Sequence, residues 1–270
     1  MEVVRVNGLK VAYERVGEGP LLVLVHGAGL DGRMWRPQLA TLADEFTVVA
    51  WDEPGAGRSD DLPAGFGLAD YAHCLAAVID AVGLGSAHVA GLSWGGTVVQ
   101  ELYRRHPERV AALILAGSYA GWKGWLPAEE VQARLRGVRE MLAAGERYDP
   151  PGLFAGEAPA EFADLLKEMT ATARPASLEA QMSMMAQTDQ RDLLPRIAVP
   201  TLLAWGDSDA RSPLSVARQF KDAIPHAELG VISGAGHVSN LEQPGAFNEA
   251  VRKFCRDHPP SESSADARLQ

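Results

Sequence analysis

A serine held between two glycines is the residue of this chain best placed for covalent chemistry. The stretch Gly91-Leu92-Ser93-Trp94-Gly95 has the spacing G-x-S-x-G and separates a short apolar segment from a helix-like one. A strand that turns sharply into a helix strains its central residue, and glycines on both sides avoid collisions. The hydroxyl would then stand at the end of the strand, beside the positive end of a helix. Ser93 is therefore our candidate nucleophile, although an ordinary glycine-rich turn has the same pattern.

A nucleophilic serine needs a base and a third group that orients the base. His237 lies in a glycine-containing loop after the last predicted strand, whereas most other histidines lie in predicted helices, strands or polar surface stretches. Two acids, Asp207 and Asp209, follow the strand before it. The G-x-x-D spacing favours Asp209 as the orienting acid, and we expect Asp207 to brace the turn.

The negative oxygen of a tetrahedral intermediate needs two preorganised N–H donors. One should be the backbone N–H of Trp94, the residue after the candidate nucleophile. The other should come from the loop His26-Gly27-Ala28-Gly29, and we assign it to Ala28. We expect His26 to brace this loop through hydrogen bonds.

The same loop contains a competing motif. Residues 27–32 match G-x-G-x-x-G directly after a strand, and Asp52 ends the next strand, as in dinucleotide-binding folds. However, Pro37 would fall inside the first crossover helix, where proline costs about 3 kcal/mol. A later helix that begins at Pro37 leaves the glycines free to bring the backbone close to a substrate carbonyl. We therefore favour the hydrolytic interpretation and expect neither a cofactor nor a metal.

The elements that would position these residues alternate between strand and helix. Apolar runs and alternating patterns predict strands at 2–6, 9–15, 21–25, 47–51, 86–90, 112–115, 201–205 and 228–232. Helices are predicted at 37–43, 68–82, 97–106 and 214–223. Such alternation favours an α/β fold whose mostly parallel central sheet is flanked by helices. The first two strands should form a hairpin around Asn7-Gly8.

One interval lacks strand signals and contains only helical ones, near 127–144, 159–171 and 177–186. It predicts a helical lid inserted after the sixth strand. The expected organisation is a first core part at 1–120, a helical cap at 121–196, a second core part at 197–258 and a disordered tail at 259–270.

Composition excludes several classes of protein. The 270 residues are 47% hydrophobic, enough for a sizeable core, and the formal net charge is -10, which disfavours nucleic acid as a partner. No run approaches the roughly 20 apolar residues of a membrane span. The only two cysteines, Cys74 and Cys255, are far apart and indicate reduced thiols. We expect a cytoplasmic protein that is a monomer or a homodimer.

The motifs together resemble the α/β-hydrolase family over essentially the whole chain. The order Ser93, Asp209, His237 is that of the family's triads, and residues 52–60 resemble its D-x-P-G-x-G-x-S segment. The stretches 91–96 and 236–244 are most similar to 3-oxoadipate enol-lactonase-like enzymes, and they are shared by esterases and acyl-homoserine-lactone hydrolases. Glu53 and Ala56 stand where the family more often has Arg and His. We expect those changes to affect loop packing and the pocket entrance rather than the chemistry.

The lid region bears on the substrate. Trp122, Trp125, Met182 and Met185 are candidate substrate-binding residues, since Met and Trp suit an adaptable apolar pocket, although they equally suit lid packing. A dicarboxylate-like lactone would need a basic anchor instead, for which Lys123, Arg33 and Arg191 are candidates. We favour an uncharged ester or lactone with an apolar acyl part.

The predicted function is a serine hydrolase of carboxylic esters or lactones that acts through an acyl-enzyme. Candidate substrates include acyl-homoserine lactones, enol-lactones and short to medium acyl esters. A carbon–carbon bond hydrolase and a cofactor-free perhydrolase use the same triad and stay open. An alternative of another class is a signal-binding receptor that retains the triad but turns over slowly.

Overall fold

The computed structural model describes residues 1–146 and 151–260, and eight strands of this part form one sheet. The strands are β1 Glu2–Val6, β2 Leu9–Val16, β3 Leu21–Val25, β4 Thr47–Asp52, β5 Ala87–Leu92, β6 Val110–Ala116, β7 Thr201–Gly206 and β8 Glu228–Ile232. They lie in the order β1-β2-β4-β3-β5-β6-β7-β8. This confirms the predicted α/β-hydrolase type of sheet.

The sheet is antiparallel only at one edge, where β1 pairs with β2 and β2 with β4. All other neighbours are parallel. Asn7 and Gly8 both have positive φ, 51° and 87°, as the tight turn of the predicted hairpin requires. The central strands β3, β4, β5 and β7 are buried along their whole length, because helices cover both faces of a parallel sheet.

Nine helices flank or cap the sheet in the described part of the chain. They are α1 Arg36–Leu42, α2 Leu68–Val82, α3 Trp94–Arg105, α4 Ala128–Ala143, α5 Ala160–Ala171, α6 Pro175–Gln187, α7 Leu214–Ala223, α8 Ser239–Glu242 and α9 Pro244–Asp257. Apolar residues of α2, α3 and α7 pack in the core on one face of the sheet, and those of α1 and α9 pack on the other. Sequence analysis did not predict α8 and α9.

The order of the strands places the chemistry. From β3 the chain moves to β4 on one side and then returns to β5 on the other, so a crevice opens where the carboxyl ends of β3 and β5 diverge. The loop after β3 begins at His26 and the turn after β5 contains Ser93. Both candidate regions therefore meet at the same edge of the sheet.

Between β6 and β7 the chain forms α4, α5 and α6, close to the three predicted helical segments. Of the predicted tail, residues 259–270, the part from position 261 onward lies outside the described residues. No helix within residues 1–146 and 151–260 combines the length and the apolar character that crossing a membrane requires. Cys74 and Cys255 are buried free thiols, and burial raises the pKa of each to about 12.

Candidate active site

Ser93 occupies a strained turn between β5 and α3. Its φ of 57° lies in the left-handed region, which residues other than glycine seldom adopt, and its N–H donates to the Ala116 carbonyl at 2.8 Å. A Cβ at Gly91 would collide with the Gly95 carbonyl, and a Cβ at Gly95 would collide with the Val25 carbonyl. The two glycines of the motif are thus needed for the turn to close.

His237 and Asp209 form a buried hydrogen-bonded pair. His237 Nδ1 lies 2.9 Å from Asp209 Oδ2, and the two side chains are 4% and 0% exposed. The other carboxylate oxygen accepts the backbone N–H groups of Arg211 and Ser212, each at 2.8 Å. A carboxylate fixed in this way holds Nδ1 as the protonated nitrogen of a neutral imidazole, which leaves Nε2 free to accept a proton.

Asp207 braces the turn instead. Its carboxylate accepts the Gly234 N–H at 3.0 and 3.1 Å and the Ser233 hydroxyl at 3.1 Å, which ties the end of β7 to the loop after β8. The Gly234 N–H is the main reason that the pKa of Asp207 lies below its usual range. The structure therefore brings Asp209, and not Asp207, to His237.

The loop that carries His237 is held by a second carboxylate. Glu242 of α8 accepts the Gly236 N–H at 2.6 Å and the Ala155 N–H at 2.7 Å. The Val238 N–H donates to the Leu153 carbonyl at 3.1 Å. The histidine loop is thereby fastened both to α8 and to the segment between β6 and β7.

Ser93 and His237 line the same pocket, together with Ala28. The empty space of this pocket, including its opening to solvent, is about 520 Å³. A Cβ built on Gly27 would lie 3.7 Å from the Ser93 Cβ, so the loop after β3 passes close to the serine. Nucleophile, base and both candidate oxyanion segments therefore surround one cavity.

The competing glycine motif has a different use in the structure. A short 3₁₀ turn, Gly32–Trp35, follows the loop, and Pro37 lies in the first turn of α1. The Asp52 carboxylate accepts the Gly32 N–H at 3.0 Å and pairs with Arg58 at 2.6 Å. Because these bonds occupy Asp52, it is not available to bind a ribose, as a dinucleotide site would require.

The predicted substrate-binding residues divide into two groups. Trp122, Met182 and Met185 line the pocket, and so does Leu153. Trp125 does not lie among the pocket-lining residues of the described chain. Its ring packs 4.8 Å from that of Phe220, centre to centre, so its prediction as a pocket residue is corrected to a packing role. Residues 122–126 form a turn and not a helix, and the two tryptophans consequently face different surroundings.

The charged residues of the pocket are not the predicted ones. Lys123, Arg33 and Arg191 lie outside the lining, and both arginines are paired with nearby aspartates. Arg134 and Arg211 line the pocket instead. No local pattern pointed to Arg134, because an i,i+4 pair with a glutamate is typical of a solvated helix face. Arg211 follows the candidate acid by two residues, and this closeness is the signal that could have found it.

Arg134 is already engaged within the protein. Its Nη2 lies 2.8 Å from Glu130 Oε1, and its guanidinium stands over the rings of Trp122 and Tyr119, 5.2 and 5.7 Å from their centres. A guanidinium held by a carboxylate and two aromatic faces contributes to the wall of the pocket more than to its charge.

Glu53 is a buried acid beside the nucleophile turn, so it takes part in packing, one of the two effects expected from the sequence, and not in forming the pocket entrance. It is 0% exposed, and its Oε2 accepts the Trp94 indole N–H at 2.8 Å. Its Oε1 accepts an N–H of the Gln181 carboxamide from α6. Burial raises the pKa of Glu53 to about 7, although these two hydrogen bonds favour its charged form. The indole of Trp94, unexplained by the sequence, thus binds a carboxyl group in the core.

His26 braces the loop after β3, as predicted. Its Nδ1 lies 2.9 Å from the Gly27 carbonyl, and its Nε2 accepts the Glu53 N–H at 3.1 Å. These two bonds together describe a neutral imidazole whose proton is on Nδ1.

With this fold and this arrangement of residues, the chain belongs to the alpha/beta hydrolase family, whose model matches residues 22–250. Among its relatives is a protein named for carbamate hydrolysis, RutD of Azorhizobium caulinodans, which is 32% identical over 254 residues and covers 90% of this chain and 94% of its own. Another relative is 3-oxoadipate enol-lactonase 2 of Acinetobacter baylyi, which is 29% identical over 238 residues, 86% of this chain and 87% of that protein.

Solved structures of esterases and lactone-degrading enzymes have the same fold. A thermophilic esterase from Thermogutta terrifontis superposes with a TM-score of 0.80 at 30% identity, covering 96% of this chain and 100% of its own. Est816, an N-acyl homoserine lactone degrading enzyme, superposes with a TM-score of 0.75 at 27% identity, covering 94% and 100%. This chain therefore shares the family and the fold of these hydrolases.

Proposed function

We propose that this protein hydrolyses carboxylic esters or lactones through a covalent acyl-enzyme on Ser93. The observation that carries the proposal is the buried pair of Asp209 and His237: its histidine lines the same pocket as Ser93, which lies in a strained strand-to-helix turn. The similarity to an enol-lactonase and to a lactone-degrading esterase supports the same carbonyl chemistry.

The steps of the proposed reaction follow from which groups of the site can donate or accept a proton. His237 Nε2 takes the proton of Ser93 as its Oγ attacks the carbonyl carbon, and the carbonyl oxygen becomes negative. The imidazolium then gives this proton to the leaving alkoxide, the C–O bond breaks and the acyl group stays on Ser93. Water repeats the sequence in the second half: its oxygen attacks the acyl carbon as His237 accepts one of its protons. The bond between the acyl carbon and Ser93 Oγ then breaks, Oγ takes that proton from His237, and the acid leaves. Asp209 remains ionised throughout, orienting the imidazole and stabilising its charged form.

The negative oxygen would be held by the backbone N–H groups of Trp94 and Ala28. Trp94 is the first residue of α3, so its N–H has no carbonyl acceptor inside the helix. Ala28 belongs to the loop that passes over Ser93. Donors of this kind, fixed before the reaction, are each worth about 10²–10³ in kcat in serine hydrolases.

The acyl part of the substrate would lie among apolar side chains. Leu30, Trp122, Leu153, Met182 and Met185 contribute to the lining, and the last four come from the segment between β6 and β7. We propose that this segment, residues 121–196, is a lid over the core formed by 1–120 and 197–258. The preferred substrate is an uncharged ester or lactone with an apolar acyl group.

Carbamate hydrolysis is the second candidate, because a relative named for it covers nearly the whole chain. The same residues would cleave a C–N bond if the leaving amine accepts the proton from His237. Carbon–carbon bond hydrolysis, perhydrolysis and slow-turnover signal binding employ the same triad and are the further alternatives. Haloalkane dehalogenases and epoxide hydrolases of this fold use an aspartate as the nucleophile, so a serine at position 93 disfavours these two activities.

The test is a substrate panel with matched serine variants. The panel contains p-nitrophenyl esters of graded chain length, acyl-homoserine lactones, an enol-lactone, aryl lactones and simple carbamates. We expect ester or lactone hydrolysis that Ser93→Ala reduces to background, while Ser86→Ala, at the opposite end of β5, keeps the wild-type rate. Equal rates for the wild-type protein and Ser93→Ala would refute the mechanism, and faster turnover of carbamates would select the second candidate.

A further inference from the structure

Four polar groups form a buried series of hydrogen bonds beneath the proposed site. The Trp94 indole N–H donates to Glu53, and the Gln181 carboxamide N–H donates to the other oxygen of the same carboxyl group. The Gln181 carbonyl oxygen in turn accepts the backbone N–H of Gly29 at 3.1 Å. Glu53 and Gln181 are 0% and 1% exposed. This series of hydrogen bonds joins the residue after the nucleophile to the loop after β3, through a helix of the proposed lid.

The chemistry of these groups determines the direction of every bond. An indole and a backbone N–H only donate, and an ionised carboxylate only accepts. Gln181 must therefore turn its NH₂ toward Glu53 and its oxygen toward Gly29. With Glu53 ionised, the indole N–H, the Gly29 N–H and one N–H of the Gln181 carboxamide each have an acceptor, as buried polar groups require.

We propose that Glu53 is a positioning residue of the active site: its carboxylate, by orienting Trp94 and, through Gln181, Gly29, holds the two oxyanion-donor segments and the lid helix α6 in one arrangement. This inference rests on the proposed function. Glu53 itself does not touch the substrate and acts through the backbone segments that it holds.

Protonation of Glu53 would break this arrangement at a predictable place. A protonated carboxyl group must donate its O–H, but the two atoms bonded to it, the Trp94 indole nitrogen and the Gln181 amide nitrogen, are both donors. For Gln181 to accept this O–H its carboxamide has to turn over, which directs its NH₂ at the Gly29 N–H and leaves that donor without an acceptor. The lid helix would thereby lose its bond to the oxyanion loop.

The surroundings place this change in an accessible range of pH. The titratable groups facing Glu53 are His26, at the end of β3, and Tyr71 of α2, whose ring meets that of Trp94 edge-on with centres 5.4 Å apart. Trp94 and Gln181, from α3 and α6, are neutral. Because burial raises the pKa of Glu53 to about 7, the ionised arrangement predominates above neutral pH and is lost below it.

The kinetic test uses an exchange of the two partners. In Glu53→Gln the introduced amide again leaves either the Gly29 N–H or one carboxamide N–H without an acceptor. We therefore expect kcat to fall roughly tenfold with little change in KM, because oxyanion donors act mainly in the transition state. In the double variant Glu53→Gln/Gln181→Glu, the carboxylate introduced on α6 accepts both the Gly29 N–H and the N–H of the amide introduced at position 53. The oxygen of that amide then accepts the indole N–H of Trp94.

The exchange variant should therefore recover most of kcat. Glu101→Gln, which changes another buried glutamate in the second half of α3, is the matched control and should change kcat little. An exchange variant no more active than Glu53→Gln alone would overturn the inference.

A spectroscopic test does not depend on activity. The ¹⁵N-indole resonance of Trp94, assigned with Trp94→Phe, should titrate with a midpoint near pH 7. This titration should persist in His237→Ala and vanish in Glu53→Gln. A Trp94 resonance at the same position in the wild-type protein and in Glu53→Gln throughout about pH 5 to 9 would also overturn the inference, since the indole would then not sense the carboxylate. Absence of hydrolysis in the wild-type protein would instead refute the proposed function, and the indole titration would still decide the role of Glu53.

Discussion

Replacing Glu53 with glutamine should change how the stability of the protein depends on pH. In the native protein the pKa of Glu53 is raised to about 7 from its ordinary value of 4.5, mainly by burial. The native state therefore binds more protons than the unfolded state between these values, and stability falls as pH rises. Below about pH 4.5 both states are protonated, so the contribution is fully present there. From about pH 5 to pH 8 the loss amounts to roughly 2–3 kcal/mol.

Urea denaturation followed by tryptophan fluorescence at each pH from about 5 to 8 measures this effect. All other titrating groups are common to the two proteins, so the difference in the free energy of unfolding, wild type minus Glu53→Gln, isolates the carboxyl group. We expect this difference to fall by roughly 2–3 kcal/mol across the range, whatever constant offset the glutamine introduces. A difference that stays flat or rises with pH would mean that Glu53 is not a buried acid with a raised pKa.

Other predictions concern the pair of Asp209 and His237 and the pocket. Asp209→Asn should lower kcat by about 10³–10⁴, whereas Asp207→Asn, measured in the same ester assay, should cost only a few-fold; the reverse order would refute the assignment. In Gly117→Ala the new Cβ would lie 3.0 Å from both Asp209 Oδ2 and His237 Nδ1, at a φ of +50°. Its kcat should therefore fall by about 10². Gly137→Ala, which meets nothing within 4 Å, is its control and should keep full activity. Met182→Trp should narrow the pocket and shift the preference among p-nitrophenyl esters toward shorter acyl chains, and an unchanged chain-length profile would exclude Met182 from the acyl pocket.

The positions of the candidate triad could be predicted from the sequence because the chemistry imposes local patterns. The strained turn at Ser93 needs glycines two residues away on each side, and the acid and the base must follow particular strands of the sheet. These requirements appear as short motifs, and the alternation of strands and helices supplies their order in space. The same logic favours Asp209 over Asp207, because only the longer spacing lets the chain leave the strand before the carboxylate turns toward the imidazole.

The roles of Glu53 and Trp125 depend on contacts that no local pattern contains. Glu53 meets Gln181, a residue 128 positions away, and only the packing of α6 over the sheet brings them together. Trp125 is of a residue type that suits an apolar pocket, but a turn after Trp122 places its ring against that of Phe220 in α7. Spacing along a chain predicts which residues share an element; it does not predict which of them a folded lid presents to a cavity.

Trapping the intermediate on Ser93 tests the central claim most directly. Rapid acid quenching during turnover of p-nitrophenyl butyrate, followed by mass spectrometry of the intact protein and its peptides, should show one butyryl group on Ser93. The adduct should form and decay at rates that account for kcat, and it should be absent from Ser93→Ala. Turnover without an adduct, an adduct on another residue, or an adduct that never hydrolyses would contradict the account.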